Sequence, residues 1–367
     1  MGGPLRVLHV AVNMNRGGAE TLVMNIYRNI NRSNIQFDFL TCKPGDFDDE
    51  IKELGGKIHR IPYISDVGHF NYIQELRQFF TDNSHYKIIH SHLDKMSGIV
   101  LREAKKAGIP VRVSHSHNTR SEGGAAARTY KWLVGNFIST NATTFFACSN
   151  DAAKWLFNKK SNNTVILKNG IEYDKFIYSE AIRKQVRLEL NLEDNDYVLG
   201  HVGRFNKQKN HPFLIDLFAE FIKLNKNAVL LLVGDGEERG PIEKKIRSLH
   251  LEKNVRFLGL RKDIEIILQG MDLFVFPSLH EGLPVSLIEA QGAGLPCIIS
   301  DRISNEVDLG MNLIEYAPLE DMDMWIKKIQ KAVSKKTPRI PEYDSLISSG
   351  YDIRDTAKKM ESFYLSC

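Results

Sequence analysis

The sequence has few cysteines and no long apolar run. Its four cysteines, Cys42, Cys148, Cys297 and Cys367, are scattered and form no C-x-x-C pair. This excludes a dense disulfide framework and favours a reducing compartment. No stretch approaches the roughly 18 apolar residues of a membrane-spanning helix, and the first residues lack the features of a secretory signal. We therefore expect a cytoplasmic protein, with peripheral contact at the inner leaflet of a membrane left open.

The sequence also carries little net charge. Its 367 residues have a formal net charge of +4, which is too small to predict a nucleic-acid partner. The charge is unevenly spread, because residues 1–178 hold 23 Lys and Arg against 16 Asp and Glu, whereas the remainder holds 26 against 29. The basic first half indicates an anionic ligand or surface, although a solvated basic face without any partner explains the excess nearly as well.

Short β-branched runs alternate with amphipathic segments along most of the chain, and the pattern restarts near residue 197. This alternation is typical of parallel sheets with crossover helices. We predict an α/β protein with two Rossmann-like domains, residues 1–178 and 179–350, and a C-terminal helix in 351–367 that packs back on the first domain. Ligands bind beyond the carboxyl ends of parallel strands, so two such domains would enclose a cleft. Residues 120–130 are predicted to form a mobile loop.

Two strand-to-helix loops are suited to anions. In the loop NMNRGGAE, Gly17 and Gly18 allow positive φ and a close backbone approach before a helix N-terminus, although a tight turn is the simpler explanation. The loop GRFNKQKN places Arg204 and Lys209 ahead of another helix. Two such cations suit a diphosphate, and a solvated basic loop is an equally good explanation from these residues alone.

A third loop, GDGEERG at 234–240, imitates a dinucleotide fingerprint. Its third glycine comes one residue late, and the acidic residues Asp235, Glu237 and Glu238 would repel a pyrophosphate. We therefore exclude NAD binding at this loop and expect its glycines to form a close turn.

Four histidines, His90, His92, His115 and His117, form two H-S-H units at the ends of neighbouring predicted strands. Alternation puts each pair on one face of the sheet, so a zinc site is conceivable. No matched carboxylate or cysteine accompanies them, and we predict no metal. His117, which follows its strand and precedes Asn118, is best placed to touch a substrate.

The stretch HEGLPVSLIEA at 280–290 carries two carboxylates around a turn and a helix start. Glu281 lies in the predicted loop and Glu289 inside the helix, and Pro284 suits the first helical position. From these residues alone, a dipole-favoured carboxylate followed by an ordinary polar-face glutamate is as good an explanation as a functional pair.

Taken in order, these stretches resemble glycosyltransferase family 4, the retaining nucleotide-sugar enzymes with the GT-B fold. The matching features are the Gly-Gly loop, His117, N-G-I-E-x-D-x-F at 169–176, G-R-x-x-x-x-K at 203–209, V-R-F-L-G at 255–259 and E-x7-E at 281–289. Bacterial transferases of cell-surface polysaccharide synthesis are the nearest type. Asn210 and Pro284 stand where many relatives carry glycine, and neither change predicts an inactive protein.

The resemblance implies a role for each matching residue. Arg204 and Lys209 would hold the donor diphosphate, Gly17 and Gly18 would approach the same phosphates, and Glu281 and His117 would bind the donor sugar. Glu289 would bind the ribose hydroxyls. Further contacts with the donor would come from Asn118, from the backbone at Arg256 and Leu260 near the base, and from the helix start at Gly282, Leu283, Val285 and Ser286.

The implied activity is metal-independent transfer of a hexose-type sugar from a UDP-sugar, without a cofactor, to a glycan or polyprenyl-diphosphate-linked acceptor. The leaving phosphate would help to deprotonate the acceptor, which would explain why the first domain offers no obvious second catalytic carboxylate. A nucleotide-sugar epimerase and a non-catalytic nucleotide-sugar-binding subunit are the alternatives. Basic residues of the first domain would face anionic lipid or acceptor: Lys105, Lys106, Arg112, Arg120, Arg128 and Lys131.

Overall fold

A computed structural model describes residues 3–121, 123–335, 339 and 348–367. Glu122, within the stretch predicted to be a mobile loop, lies outside the described residues. The chain divides into two compact units: Met1–Gly170 with Gly350–Cys367, and Ile171–Ser349. The first unit therefore ends upstream of residue 178, where the sequence places the boundary.

The first unit, as far as it is described, contains a seven-stranded parallel sheet of order β3-β2-β1-β4-β5-β6-β7. Its strands are Leu5–Val10 (β1), Ile35–Thr41 (β2), Ile58–Arg60 (β3), Ile88–Ser91 (β4), Val111–Ser116 (β5), Thr144–Ala147 (β6) and Val165–Ile166 (β7). Its helices are Gly18–Asn29 (α1), Asp48–Glu53 (α2), Ile64–Asp82 (α3), Ser97–Lys106 (α4), Ala125–Gly135 (α5), Ile138–Asn141 (α6) and Asn150–Phe157 (α7). The strand order reverses between β1 and β4, which is where open parallel sheets bind ligands.

The second unit contains a six-stranded parallel sheet of order β10-β9-β8-β11-β12-β13 in its described part. Its strands are Tyr197–Val202 (β8), Ala228–Val233 (β9), Val255–Gly259 (β10), Leu273–Phe276 (β11), Cys297–Ser300 (β12) and Ile314–Ala317 (β13). Its helices are Glu180–Glu189 (α8), His211–Leu224 (α9), Arg239–Ser248 (α10), Ile264–Gly270 (α11), Val285–Gly292 (α12) and Met322–Lys335 (α13). Here the order reverses between β8 and β11.

Alternation along the strands sends side chains to two separate cores in the first unit. In β1, Val7 joins a cluster with helix α1, whereas Leu8 and Val10 join a cluster on the opposite face. Successive strand residues point to opposite faces, so one strand supplies both cores. Both predicted parallel sheets are present, because runs buried on both faces are conspicuous in sequence.

The C-terminal helix belongs to the first unit, as predicted. It spans Ile353–Leu365 (α14) and begins at Asp352, whose side chain accepts a hydrogen bond from the Arg354 amide. Ile353, Met360 and Tyr364 are buried in the cluster that contains α1 and β2. This helix is far in sequence from the rest of its unit, and the burial of its apolar face in this cluster holds it against the sheet.

The prediction of a mobile loop over residues 120–130 is wrong for its second half, because α5 begins at Ala125. Three consecutive alanines favour helix strongly, and Val134 at the far end of α5 is buried against α4. The close contact depends on Gly98 in α4, where a Cβ atom would lie 2.0 Å from the Val134 carbonyl oxygen. The segment 177–195, just after the predicted domain boundary, contains helix α8.

The contact between α4 and α5 predicts an unusual effect of alanine. Gly98→Ala should destabilise the protein by about 1–3 kcal/mol, because the new methyl group overlaps backbone, even though alanine is the better helix former. Gly240→Ala in α10 is the matched control, since nothing lies within 4 Å of its Cβ position, and it should stabilise by up to about 1 kcal/mol. Urea unfolding measures both changes, and a stabilising Gly98→Ala would contradict this packing.

Candidate functional site

The strand-order reversal in the second unit brings together the loops that follow β8 and β11. Gln208, in a short 3₁₀ turn after β8, links them. Its backbone carbonyl accepts from the Leu279 amide at 2.8 Å, and its side-chain amide donates to the His280 carbonyl at 2.8 Å and to Glu281 Oε2 at 3.2 Å. Sequence reasoning missed Gln208, because a glutamine in a basic loop carries no distinctive signal.

Lys209 and Glu281, predicted separately, form one ion pair in this structure. Lys209 Nζ donates to Glu281 Oε1 at 2.8 Å, and the two side chains are only 14% and 8% exposed. The ammonium also lies 4.5 Å from the centroid of the Phe276 ring, a favourable cation–π distance. Because each side chain of this shielded pair is held by the other, the pair forms a fixed polar contact between the two loops.

Arg204 differs from Lys209 in its surroundings. Its side chain is exposed, and no acceptor for its guanidinium is found among the described residues. Arg204, like the exposed Lys207 of the same loop, therefore carries a positive charge with no ion-pair partner among the described residues. Asn210, which ends the 3₁₀ turn and precedes α9, adopts a left-handed conformation with φ 55° and ψ 43°. Asparagine tolerates this region better than most residues, which explains how it can stand where relatives carry glycine.

The N-terminus of α12 follows the Glu281 loop directly. The helix begins at Val285, and Pro284 is its N-cap. The sequence predicts Pro284 at the first helical position, so the helix begins one residue later than predicted. The amides of Val285 and Ser286 have no intrahelical acceptor because they lie in the first turn. The preceding residues Gly282 and Leu283 are buried, so this helix start is suited to an anion.

Glu289 lies one turn into α12 and is partly buried. Burial, and to a smaller extent the nearby Glu265 carboxylate, raise the pKa of Glu289 to about 7. A carboxyl group in these surroundings is protonated in part of the molecules near neutral pH. It can therefore either donate a hydrogen bond to a hydroxyl or accept one from it. The sequence identified Glu289 as a candidate but contained no indication of this environment.

The other residues predicted in the second unit have mixed surroundings. The Arg256 guanidinium donates to the carbonyls of Leu190 and Asn191, so its side chain supports the end of α8. Leu260 is 53% exposed. Gly234, with φ 130°, lies against the Gly203 carbonyl, where a Cβ atom would be 2.1 Å from the oxygen. The expected close turn is therefore present.

In the first unit, the Gly-Gly loop differs from the prediction. Gly17 is the N-cap of α1 with φ −101°, and neither Gly17 nor Gly18 adopts positive φ. Gly17 instead provides space, because a Cβ atom there would lie 2.3 Å from Glu20 Oε2. The first turn of α1 thus already holds a carboxylate, and a phosphate approaching Gly17 and Gly18 would meet it. The prediction that these glycines approach phosphates stays untested.

His117 and Asn118 follow β5 and are both held by Asp94. The His117 amide donates to Asp94 Oδ1 at 3.3 Å, and Asn118 Nδ2 donates to Asp94 Oδ2 at 3.0 Å. Asp94 and Glu20 are two carboxylates of this domain that the sequence did not single out, and the absence of an obvious second catalytic carboxylate stays a prediction. Both carboxylate oxygens of Asp94 accept hydrogen bonds from this loop, so Asp94 holds the conformation of the loop.

The histidines of the first unit form a larger cluster than the two H-S-H units, because His9 of β1 joins them. His90 and His115 are buried, and His92 and His117 are partly buried. His90 Nδ1 lies 2.7 Å from the Tyr364 hydroxyl of α14. Desolvation lowers the pKa of each of the five rings, to about 3 for His9 and His117. The cluster is therefore uncharged at neutral pH.

Comparison with known proteins is consistent across the chain. Residues 17–170 match the glycosyl transferase 4-like domain, and residues 182–351 match glycosyl transferases group 1. The chain is 37% identical to the EpsF protein of Bacillus subtilis (strain 168) over 98% of this chain and 96% of that protein. It is 32% identical, over 76% of this chain and 75% of the relative, to UDP-Gal:alpha-D-GlcNAc-diphosphoundecaprenol alpha-1,3-galactosyltransferase of Escherichia coli.

Solved structures share the fold. The crystal structure of Anabaena HepE in complex with UDP and glucose superposes with a TM-score of 0.82 at 19% identity, covering 99% of this chain and 100% of that one. A likeness at this identity shows the two-domain architecture alone. No helix in the described part of the chain has the length and apolarity needed to cross a bilayer.

The surroundings of Glu289 predict a pH-dependent stability. Its pKa is raised from 4.5 in the unfolded chain to about 7 in the folded protein. The neutral carboxyl group therefore contributes fully to the stability of the folded state below pH 4.5, and this contribution is lost as the pH rises to 7. Between pH 5 and pH 8, the wild type should lose on the order of 2 kcal/mol relative to Glu289→Gln. Urea unfolding of both proteins at the two pH values measures this difference.

The exposed substitution Glu252→Gln is the control, and it should track the wild type at both pH values. If Glu289→Gln and the wild type lost stability in parallel, the buried carboxyl would not be the titrating group.

Proposed function

The chain belongs to glycosyltransferase family 4 and is a glycosyltransferase, and from this premise we propose that it transfers a hexose-type sugar from a UDP-sugar with retention of configuration. The transfer needs no metal ion and no cofactor. The acceptor is a glycan or a lipid-linked sugar diphosphate in the synthesis of a surface polysaccharide. The E. coli relative, whose name includes UDP-Gal and a diphosphoundecaprenol acceptor, supports both substrate classes.

The observation that carries this proposal is the arrangement at the strand-order reversal of the second unit. An exposed guanidinium at Arg204 and the first-turn amides of α12 present positive potential, and the buried Lys209–Glu281 pair lies beside them. A departing nucleoside diphosphate develops negative charge, which such fixed donors stabilise without reorganisation. Glu289, further along α12, is assigned to the ribose hydroxyls.

In the proposed reaction, the bond from the anomeric carbon to the phosphate oxygen breaks as the acceptor oxygen bonds to that carbon from the same face. The acceptor proton passes to the leaving phosphate. Arg204 stabilises that phosphate, Glu281 holds hydroxyls of the sugar, and Lys209 holds Glu281 in place through their hydrogen bond of 2.8 Å. The oxocarbenium-like transition state carries positive charge, and the Glu281 side chain beside the sugar is compatible with that charge.

Substitution in the β8 loop tests this assignment. Arg204→Ala should lower kcat by about 10²- to 10³-fold, because the charge on the leaving group loses its exposed partner. Lys207→Ala is the matched control, since Lys207 is exposed in the same loop, and it should change kcat little. The assay follows acceptor-dependent release of nucleotide from UDP-, GDP- and ADP-sugars with and without EDTA. NMR of the product reports the anomeric configuration.

If Arg204→Ala and Lys207→Ala lowered kcat equally, the specific role of Arg204 would be rejected. Inhibition by EDTA would reject metal independence. Interconversion of the donor sugar without an acceptor would identify an epimerase instead.

A membrane-facing surface in the first unit fits a lipid-linked acceptor. Trp132 and Leu133 on α5 are 57% and 53% exposed, and Phe70 on α3 is 84% exposed. The helices are joined by a hydrogen bond of 2.6 Å between His69 Nδ1 and the Tyr130 hydroxyl. Exposed aromatic rings beside basic residues are typical of interfacial membrane contact.

The basic residues predicted to face lipid do not all remain available. Lys105 donates to the Thr140 carbonyl, Lys106 pairs with Glu103, and Arg112 donates to backbone carbonyls including Asn141. Arg120 and Arg128 are exposed. We therefore assign the membrane surface to α5 and its surroundings, with Arg128 as its principal cation.

Vesicle binding tests this surface. The double variant Arg128→Glu/Trp132→Ala should bind vesicles of anionic phosphatidylglycerol at least about ten-fold more weakly, because it loses an aromatic anchor and reverses a charge worth about 1 kcal/mol. Leu224→Ser, at an exposed leucine of the second unit, is the control. Co-sedimentation measures the binding, and wild-type binding that is absent or insensitive to salt would contradict the assignment.

A further inference from the structure

The histidine cluster of the first unit contains a continuous hydrogen-bonded chain of three rings. His9 Nδ1 lies 3.0 Å from His92 Nε2, and His92 Nδ1 lies 2.8 Å from His117 Nε2. These distances are those of ordinary N–H···N hydrogen bonds. His92 is therefore bonded through both nitrogens, whereas His9 and His117 each use one nitrogen within the chain.

Because the three rings are neutral, their tautomers depend on one another. A neutral imidazole has one N–H donor and one acceptor nitrogen, so every N–H in the chain must point the same way. If the N–H groups point towards His117, then His117 Nδ1 must carry a proton and can only donate. If they point towards His9, then His117 Nδ1 is a bare lone pair and can only accept.

Two further rings stack on those of the chain. The lone pairs of an imidazole lie in the plane of its ring. His90 stacks on His92 with centroids 4.4 Å apart and an interplanar angle of 22°, and His115 lies over His117 at 4.1 Å and 30°. In each of two groups of three rings, His9, His90 and His92 and His92, His115 and His117, nitrogens also lie within 4.8 Å of one another, which is close enough to hold a metal ion.

A small cavity adjoins the His9 end of the chain. His9 and His92 line a small cavity together with Glu20, and the rest of its lining is apolar: Ala11, Met14, Ala19 and Val23. His9 Nε2 is buried and has no hydrogen-bond partner among the described residues. Negative charge at this end favours the arrangement in which N–H groups point towards it, because in apolar surroundings the interaction is weakly screened.

We infer that His9 and His92, polarised by Glu20, are positioning residues that hold His117 in the Nε2–H tautomer. His117 Nδ1, which is buried and has no partner in the described structure, then accepts a hydrogen bond from a hydroxyl group of the substrate. This inference rests on the proposed function, in which His117 touches the sugar. It adds that the ligand atom facing His117 is a hydroxyl donor.

Histidine tautomers are observed directly by long-range ¹H–¹⁵N NMR of the full chain labelled with ¹⁵N-histidine, without any substrate. At pH 7.5, His117 and His92 of the wild type should both show protonated Nε2. Glu20→Gln, which preserves shape and removes charge, should shift His117 towards a mixture of tautomers. His9→Phe should do the same, and a phenyl ring is accommodated because His9 already packs against Phe37 and Phe39.

His69→Phe is the control for histidine replacement, because His69 bonds to Tyr130 outside the cluster, and it should leave the His117 signals unchanged. A protonated Nδ1 on His117 in the wild type would overturn the inference. Unchanged His117 signals in a folded Glu20→Gln protein would overturn the role of Glu20 in the chain.

Kinetics separate this inference from the proposed function. Glu20→Gln should raise KM by up to about ten-fold, the loss of one hydrogen bond, with a smaller change in kcat. A substrate analogue with fluorine in place of the bound hydroxyl should lose affinity for the wild type by a similar factor and lose little for Glu20→Gln. If the NMR signature is present but no sugar nucleotide is turned over, the proposed function fails while the chain of tautomers stands.

Discussion

Parallel strand pairing is the constraint on which the arrangement of this protein depends. A parallel sheet sends all its carboxyl ends to one edge, and a reversal of strand order leaves two neighbouring loops there without a covering connection. In the first unit the reversal lies between β1 and β4, and in the second between β8 and β11. The residues after β1 and β4 include Gly17 and His92, and those after β8 and β11 include Lys209 and Glu281.

Burial decides the charge states at these edges. Lys209 and Glu281 are largely buried and form an ion pair at 2.8 Å. Glu289 takes part in no such pair among the described residues, and burial raises its pKa to about 7. The histidines, which are packed against aromatic rings, lose their charge instead. The same physical effect, desolvation, thus yields a carboxyl group that titrates near neutrality and an uncharged hydrogen-bonded chain.

Much of the fold and the identity of several candidate residues could be predicted from sequence, and the reasons are local. Each β strand is a short apolar run between polar segments, so its position is visible in the residues themselves. Helix α5 was missed because an alanine-rich stretch beside two glycines lacks an amphipathic pattern, and its helix depends on contact with Gly98 in α4. The sequence left the conformation of Gly17 open, because glycine permits positive φ without requiring it.

The sequence by itself determined the alternation of strands and helices, the family motifs and the residue types available for binding a sugar nucleotide, because each is written within a few consecutive positions. Only the tertiary structure decided how those residues are used. Lys209 and Glu281 are 72 positions apart, His9 and His92 are 83 apart, and His90 and Tyr364 are 274 apart. Contacts over such separations, and the burial that sets the pKa of Glu289, exist only once strands from distant parts of the chain lie side by side.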